Sequence, residues 1–149
     1  METNVKVRNQ YVIFKLAEEN YAIDISMVKT IEKVSGYTRV PNSDKYIKGV
    51  INLRGEVIPV IDLKKRLNLG EIKESDNSRV IITCSEDIVV GLLVDSSSEV
   101  VYIENSEIDN ISNMSEKEEY NYIKGIGKEN NRLILIIDLD KILNIEREE

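Results

Sequence analysis

The stretch Tyr46 to Asn68, YIKGVINLRGEVIPVIDLKKRLN, recurs seventy-six positions later as Tyr122 to Asn144, YIKGIGKENNRLILIIDLDKILN. The copies align without a gap. They share Tyr46/Tyr122, Ile47/Ile123, Lys48/Lys124, Gly49/Gly125, Ile58/Ile134, Ile61/Ile137, Asp62/Asp138, Leu63/Leu139, Lys65/Lys141, Leu67/Leu143 and Asn68/Asn144. Such a repeat restricts the chain to a fold built twice. The copies part at the turn, which reads Asn52-Leu53-Arg54-Gly55 in the first and Lys128-Glu129-Asn130-Asn131 in the second. A shared frame with an unshared turn implies a shared fold and an unshared job.

The flanking sequence extends the repeat. Tyr11–Leu16 is β-branched and aromatic, Ala17–Asn20 is a polar turn, and Tyr21–Ile25 alternates with period two, which predicts a hairpin. Arg79–Cys84, the turn Ser85-Glu86-Asp87 and Ile88–Val94 predict a second hairpin, with Val12-Ile13 answering Val80-Ile81 and Ala22-Ile23 answering Gly91-Leu92. Between Asp24 and Val34 the apolar residues Ile25, Val28, Ile31 and Val34 fall three apart. This predicts a short helix capped by Ser26, giving way to a strand near Ile31–Val34 and broken at Ser35-Gly36. Pro59, inside the strand Glu56–Ile61, predicts an edge position or a bulge. Asp62 caps a short helix, Leu63 to Leu67, and Asp138 caps one running to about Ile145; Asp24 and Asp95 follow strands in the same way and take the same reading. Residues 104–121 form a polar excursion with Ile108, Ile111 and Met114 as anchors.

Short strands at roughly 8–12-residue spacing, with few helices, argue for barrels or sandwiches rather than a parallel sheet with long crossover helices. The whole chain, 1–149, reads as a single domain with a first half at 10–69, a linker at 70–78 and a second half at 79–145. Two halves this small predict two antiparallel barrels whose cores are shared or tightly opposed.

Composition narrows function by exclusion. With 27 acidic and 20 basic residues the formal charge is −7, so nucleic-acid backbones and anionic lipid surfaces are poor partners. The one short basic run, Lys64-Lys65-Arg66, reads as a solvated helix face. The single cysteine, Cys84, lies in an apolar strand and reads as buried and inert. No signal-peptide pattern or membrane-length apolar run appears, which predicts a soluble, cytosolic chain. There is no histidine, so the commonest general base and metal ligand is missing, and no phosphate-cradling glycine motif occurs. No cofactor, metal site or catalytic group is signalled. The acids Glu18-Glu19, Glu86-Asp87 and Glu116 to Glu119 fall in turns and read as solvated; an enzyme built on paired carboxylates is the minor alternative.

The run Ile47-Lys48-Gly49-Val50-Ile51-Asn52-Leu53-Arg54-Gly55, followed by Val57-Ile58-Pro59-Val60-Ile61-Asp62-Leu63, resembles the CheW family of chemotaxis coupling proteins. Tyr21–Ile25 with Val28 and Ile31, Val90–Asp95, and Leu133–Asp138 support the likeness, which runs from about residue 10 to 145. The resemblance implies a mainly β fold: two five-stranded SH3-like antiparallel barrels packed together, with a few short helices. It implies a non-enzymatic adaptor that couples the cytoplasmic tip of methyl-accepting chemotaxis receptors to the regulatory domain of the histidine kinase CheA. Such an adaptor is cytoplasmic and recruited to membrane receptor arrays without inserting into the membrane. It implies receptor binding at Arg54, Asn52, Gly55, Val28, Ile31 and Val100, and kinase binding at Ile108, Ile111 and Met114. Arg54 as a charge bracing its own hairpin, and Val28 and Ile31 as plain core, remain open readings. A CheW-like adaptor of a parallel, non-flagellar signalling pathway is the alternative function. The 104–121 excursion and the polar Ser96-Ser97-Ser98 are where the chain departs most from the family pattern.

Overall fold

The computed structural model describes residues 8–34, 36–111 and 121–144. In chain order the strands are β1 (Arg8–Leu16), β2 (Glu19–Asp24), β3 (Val28–Lys33), β4 (Ile47–Leu53) and β5 (Glu56–Asp62), then helix α1 (Leu63–Arg66). The second half adds β6 (Arg79–Ser85), β7 (Ile88–Val94), β8 (Ser96–Glu104), β9 (Ile108–Asn110), β10 (Ile123–Glu129), β11 (Arg132–Ile137) and α2 (Leu139–Ile142). The fold is mainly β, as the sequence predicts.

The four hairpins close with the same device. Ala17-Glu18, Arg54-Gly55, Glu86-Asp87 and Asn130-Asn131 each carry positive φ at both central residues. That is the backbone of a type I′ turn, whose twist matches the right-handed twist of the flanking strands. Only the Arg54-Gly55 turn has glycine at its second position.

The strands form two sheets, β8-β1-β2-β11-β10-β9 and β3-β6-β7-β5-β4. The sheets therefore do not follow the linear halves 10–69 and 79–145: the β1–β2 hairpin joins strands of the second half, and β6–β7 joins strands of the first. Under the repeat, β8-β1-β2-β11-β10 reproduces β3-β6-β7-β5-β4, and β9 is a sixth, three-residue strand added at one edge. Each sheet contains one parallel pairing, Val60–Asp62 with Gly91–Leu93 and Leu135–Ile136 with Tyr21–Ala22, so the sheets are not purely antiparallel. Small residues make this junction. A Cβ on Gly91 would meet Val80 Cγ1 at 2.6 Å and Val60 Cγ2 at 3.4 Å, and Ala22 holds the matching place in the other sheet.

Register fixes the correspondence of the first hairpins. Ile13 pairs with Glu99 where Ile82 pairs with Thr30, and Phe14 pairs with Ser97 where Thr83 pairs with Val28. Ile13 thus answers Ile82, one residue beyond the match suggested by the Val-Ile dipeptides. The shared Lys-Gly of the repeat has a structural cause: β4 bulges between Ile47 and Gly49, and β10 between Ile123 and Gly125. The glycine then lets another segment approach. At Gly49, with φ of 154°, a Cβ would lie 2.6 Å from the Thr38 carbonyl oxygen, which belongs to a two-bond bridge with Val50.

The main core lies between the sheets. Val12, Phe14, Leu16 and Ile23 of one meet Ile58, Val60, Ile81 and Leu92 of the other. Each such side chain contributes about 1.5–3 kcal/mol when fully buried. Tyr11, Ile13, Ala22, Val101, Ile103, Ile134 and Ile136 form a second cluster on the other face of the six-stranded sheet. β1 is therefore buried on both faces, which explains its near-continuous apolar run.

Several local expectations are corrected. The three-residue spacing after Asp24 gives only a single 3-10 turn, Ile25–Met27, before β3 begins. Its cap is Asp24, whose carboxylate accepts from the Ser26 N–H, and not Ser26 itself. No helix follows Asp95; its carboxylate accepts from the Ala17 N–H at 2.8 Å and meets Lys64 Nζ at 3.4 Å. Ser96 and Ser97 lie within β8. β5 is an interior strand despite Pro59, and its parallel ladder with β7 starts one residue past the proline. Cys84 is half-buried rather than buried. Residues 70–78 hold no strand or helix, yet Ile72 is buried and its N–H bonds Asp62 Oδ2 at 3.0 Å. Ser35, Glu116 to Glu119 and Ile145 lie outside the described residues.

Candidate docking surface

Arg54 sits at the first central position of the β4–β5 turn with φ of 52°, a left-handed conformation that an L-residue adopts at some cost. Two features hold it there. Gly55, with φ of 87°, accepts the second positive φ, and the Asn52 side-chain carbonyl accepts the Gly55 N–H at 3.1 Å. Asn52 thus acts by bracing the turn. The Arg54 side chain is exposed and makes no ion pair or hydrogen bond among the described residues. Beside it Val57 is 67% exposed. The tip of this hairpin therefore presents a cation on a braced turn next to apolar surface.

The matching tip of the β10–β11 hairpin is built differently. Arg132 Nη1 meets Glu99 Oε1 at 2.7 Å, and its Nε and Nη2 meet Glu129 Oε1 at 3.0 and 2.9 Å. Asn130 Nδ2 donates to Glu129 Oε2 at 3.2 Å. The hydrogen bond from Arg132 holds the Glu99 carboxyl below the usual carboxylate range, and the same bond raises Arg132. The link spans from β8 to β11, strands separated by two others in the sheet order.

The other expected residues divide. Ile31 on β3 and Val100 on β8 are exposed and occupy equivalent positions, opposite Ile81 and Val12 of the main core. Each continues a core-facing row out to a sheet edge. Val28 is half-buried and packs against the main core, so it offers only part of its surface. β3 and β4 are opposite edges of the five-stranded sheet, and Val100 lies on the other sheet. The structure thus gathers Asn52, Arg54 and Gly55 at one turn and leaves Val28 and Ile31 together on β3 and Val100 on β8. Ile108 is half-buried at the margin of the second cluster. Ile111 is 3% exposed within the main core, which suits its reading as an anchor of the 104–121 excursion. Met114 lies outside the described residues.

Two features escaped the sequence reading. Arg66 is no solvated charge: its guanidinium lies 4.5 Å from the Tyr46 ring centroid and 4.7 Å from that of Tyr122. The signal available was an asymmetry, because the repeat carries Ile142 at this position. The Tyr37 hydroxyl is buried, with the Glu74 carboxylate as its nearby charged neighbour. Among the described residues no group of three or more His, Cys, Asp or Glu is placed to hold a metal ion. Among them, too, no helix is long and apolar enough to cross a membrane.

Comparison with known proteins decides the family. The model of the CheW-like domain matches residues 10–147. The chain belongs to the CheW-like family. The chemotaxis protein CheW of Bacillus subtilis (strain 168) is 42% identical over 146 residues, covering 98% of this chain and 94% of that protein. The CheW of Helicobacter pylori is 36% identical over 135 residues, covering 90% of this chain and 81% of that protein. Among solved structures, the scaffolding protein TtCheW from Thermoanaerobacter tengcongensis superposes with a TM-score of 0.85 at 36% identity, covering 96% of this chain and 97% of that one. CheW-like proteins are scaffolds and adaptors, not enzymes.

Proposed function

We propose that this CheW-like chain is a non-enzymatic adaptor that couples methyl-accepting chemotaxis receptors to the histidine kinase CheA. The observation that carries the reading is the contrast between the two hairpin tips. The first holds an arginine with no partner among the described residues in a braced turn; the second neutralises its arginine internally. Arg54 is the receptor contact, through its planar donor fork on an acidic side chain or on backbone carbonyls. Gly55 and Asn52 hold it in place. Ile31, Val100 and the accessible part of Val28 supply apolar contact to a helical receptor tip. The kinase contact lies on the second half, at Ile108 and Met114, with Ile111 as the buried anchor of the segment. The duplicated fold suits a partner that carries a homologous domain, because the chain already packs one such sheet against its copy. In the cell the adaptor works on the cytoplasmic side, recruited to receptor arrays through these contacts.

The test is reconstitution. Kinase and a receptor cytoplasmic fragment are sedimented together with and without this chain. Kinase should pellet with receptor in proportion to the chain added. Kinase that stays in the supernatant whatever the amount of chain contradicts the coupling role.

A further inference from the structure

Residues that the repeat makes equivalent meet at one place. The rings of Tyr46 and Tyr122 both lie against the Arg66 guanidinium. Arg66 Nε donates at 2.8 Å to the carbonyl of Ile142, the residue that takes the place of Arg66 in the second copy. Positions that touch their own counterparts lie at the approximate twofold axis relating the copies. The two tyrosines also mark the roots of two hairpins. Tyr46 immediately precedes β4, and its carbonyl accepts the N–H of Asp62 at the end of β5. Tyr122 immediately precedes β10, and its carbonyl accepts the N–H of Asp138 just past β11. The first hairpin belongs to the five-stranded sheet and the second to the six-stranded one, so Arg66 ties the two sheets together at the axis.

The docking residues are divided between the same two sheets. Val28, Ile31 and the Arg54 turn stand on the five-stranded sheet, and Val100 stands on the six-stranded one. Arg54 closes the far end of its hairpin, roughly 20–25 Å along an extended strand from the root at Tyr46. A small tilt at the axis therefore becomes a larger displacement of Arg54 against Val100. We propose that Arg66 is a positioning residue for docking: by fixing the angle between the sheets, it holds Arg54 and Ile31 in register with Val100, so that one receptor helix meets both parts of the surface. The inference rests on the docking reading given above. Apolar burial holds the sheets together but is non-directional. A planar guanidinium with three acceptors and two rings against it is directional. Two other polar contacts cross between the sheets. Lys64 reaches Asp95, which is bound to the β1–β2 turn, and Ser85 donates to Asp140 of α2. Neither grips both hairpin roots.

The experiment is a double-mutant cycle in the full-length chain between Arg66→Ala and Val100→Ala. It is read as the Kd of a methyl-accepting receptor cytoplasmic fragment, well below the melting temperature of every variant. Val100→Ala trims the contact itself and should weaken binding roughly fivefold. Arg66→Ala should weaken it by about the same factor, because it displaces that contact. The two together should still lose only roughly fivefold, where independent losses would multiply to about twenty-five-fold. Affinity for the regulatory domain of the kinase, assigned to the second half alone, should stay within about twofold. An Arg66→Ala chain that binds receptor like its parent, a double variant whose losses multiply, or an equal loss of kinase affinity overturns the positioning role. If Arg66→Ala does not fold, Arg66→Lys, which keeps the charge and loses the planar fork, is read by the same criterion. If Val100→Ala alone binds as tightly as the unmodified chain, the docking role of Val100 fails instead, and this inference falls with it.

Discussion

The guanidinium of Arg66 lies between the rings of Tyr46 and Tyr122, two residues that the internal repeat makes equivalent. From there Nε donates to the Ile142 carbonyl at 2.8 Å, Nη2 to the Lys141 carbonyl at 3.3 Å, and Nη1 to the Tyr122 hydroxyl at 3.0 Å. One side chain from the end of α1 thus caps the end of α2. A cation there also suits the negative end of the helix, whose last carbonyls lack partners.

Arg66→Ala should therefore destabilise the chain by about 2–3 kcal/mol, the sum of a charge-assisted hydrogen-bond set and two ring contacts. Arg66→Lys should recover little, because an ammonium cannot serve three acceptors in a plane while stacking on two rings. Urea unfolding of the three proteins decides it. Equal stability of the lysine variant and the parent would mean that only the charge matters.

Asp62 and Asp138 share a place in the repeat but not a load. Asp62 is 1% exposed and accepts from the N–H groups of Lys65 and Ile72. Asp138 is half-buried, and its carboxylate accepts from the Lys141 N–H. Asp62→Ala should cost about 2–3 kcal/mol, since it leaves the buried Ile72 N–H unsatisfied and removes the helix cap at Lys65; Asp138→Ala should cost about 1, the loss of one cap. The same unfolding measurement applies. Equal costs would show that the strap through Ile72 adds nothing.

Tyr37 gives stability a dependence on alkaline pH. Burial of its phenol, and next the nearby Glu74 carboxylate, push its pKa well above that of a free tyrosine. The folded state thus keeps a proton that the unfolded state releases near pH 10. The contribution is full below about pH 10 and is lost as pH rises toward the folded value. Stability should fall more steeply above about pH 10 in the parent than in Tyr37→Phe, read by unfolding at several pH values. Parallel slopes in the two proteins would contradict the assignment.

Much of this fold is legible in the sequence because its signals are local. The four hairpins announce themselves by β-branched runs on either side of two-residue polar turns, and Asp62 and Asp138, at strand ends, cap the short helices beyond them. Sheet membership is not local. The parallel pairings of β2 with β11 and β5 with β7 join residues far apart in the chain, and only Ala22 and Gly91 hint at them by their size. The start of β3 is hidden for another reason, although a strand near Ile31–Val34 is expected: Ile25, Val28 and Ile31 imitate a helical spacing, but the register shifts between Val28 and Thr30 at a bulge, which disturbs strand alternation. At the docking surface the unshared turn was readable from the repeat itself. The Glu99–Arg132–Glu129 clasp was not, because it joins charges from strands that no local pattern connects. Arg66 was lost inside a basic run whose other members, Lys64 and Lys65, do make surface ion pairs with Asp95 and Glu71.

The central claim is that the Arg54 turn, and not its repeat counterpart, meets the receptor. The direct measurement compares the affinity of a receptor cytoplasmic fragment for Arg54→Glu and for Asn130→Glu, the same change at the equivalent turn position. Arg54→Glu should weaken binding by about 2 kcal/mol or more, roughly thirtyfold, while Asn130→Glu stays within about twofold of the unmodified chain. Equal losses at the two turns, or no loss at Arg54, would contradict the account.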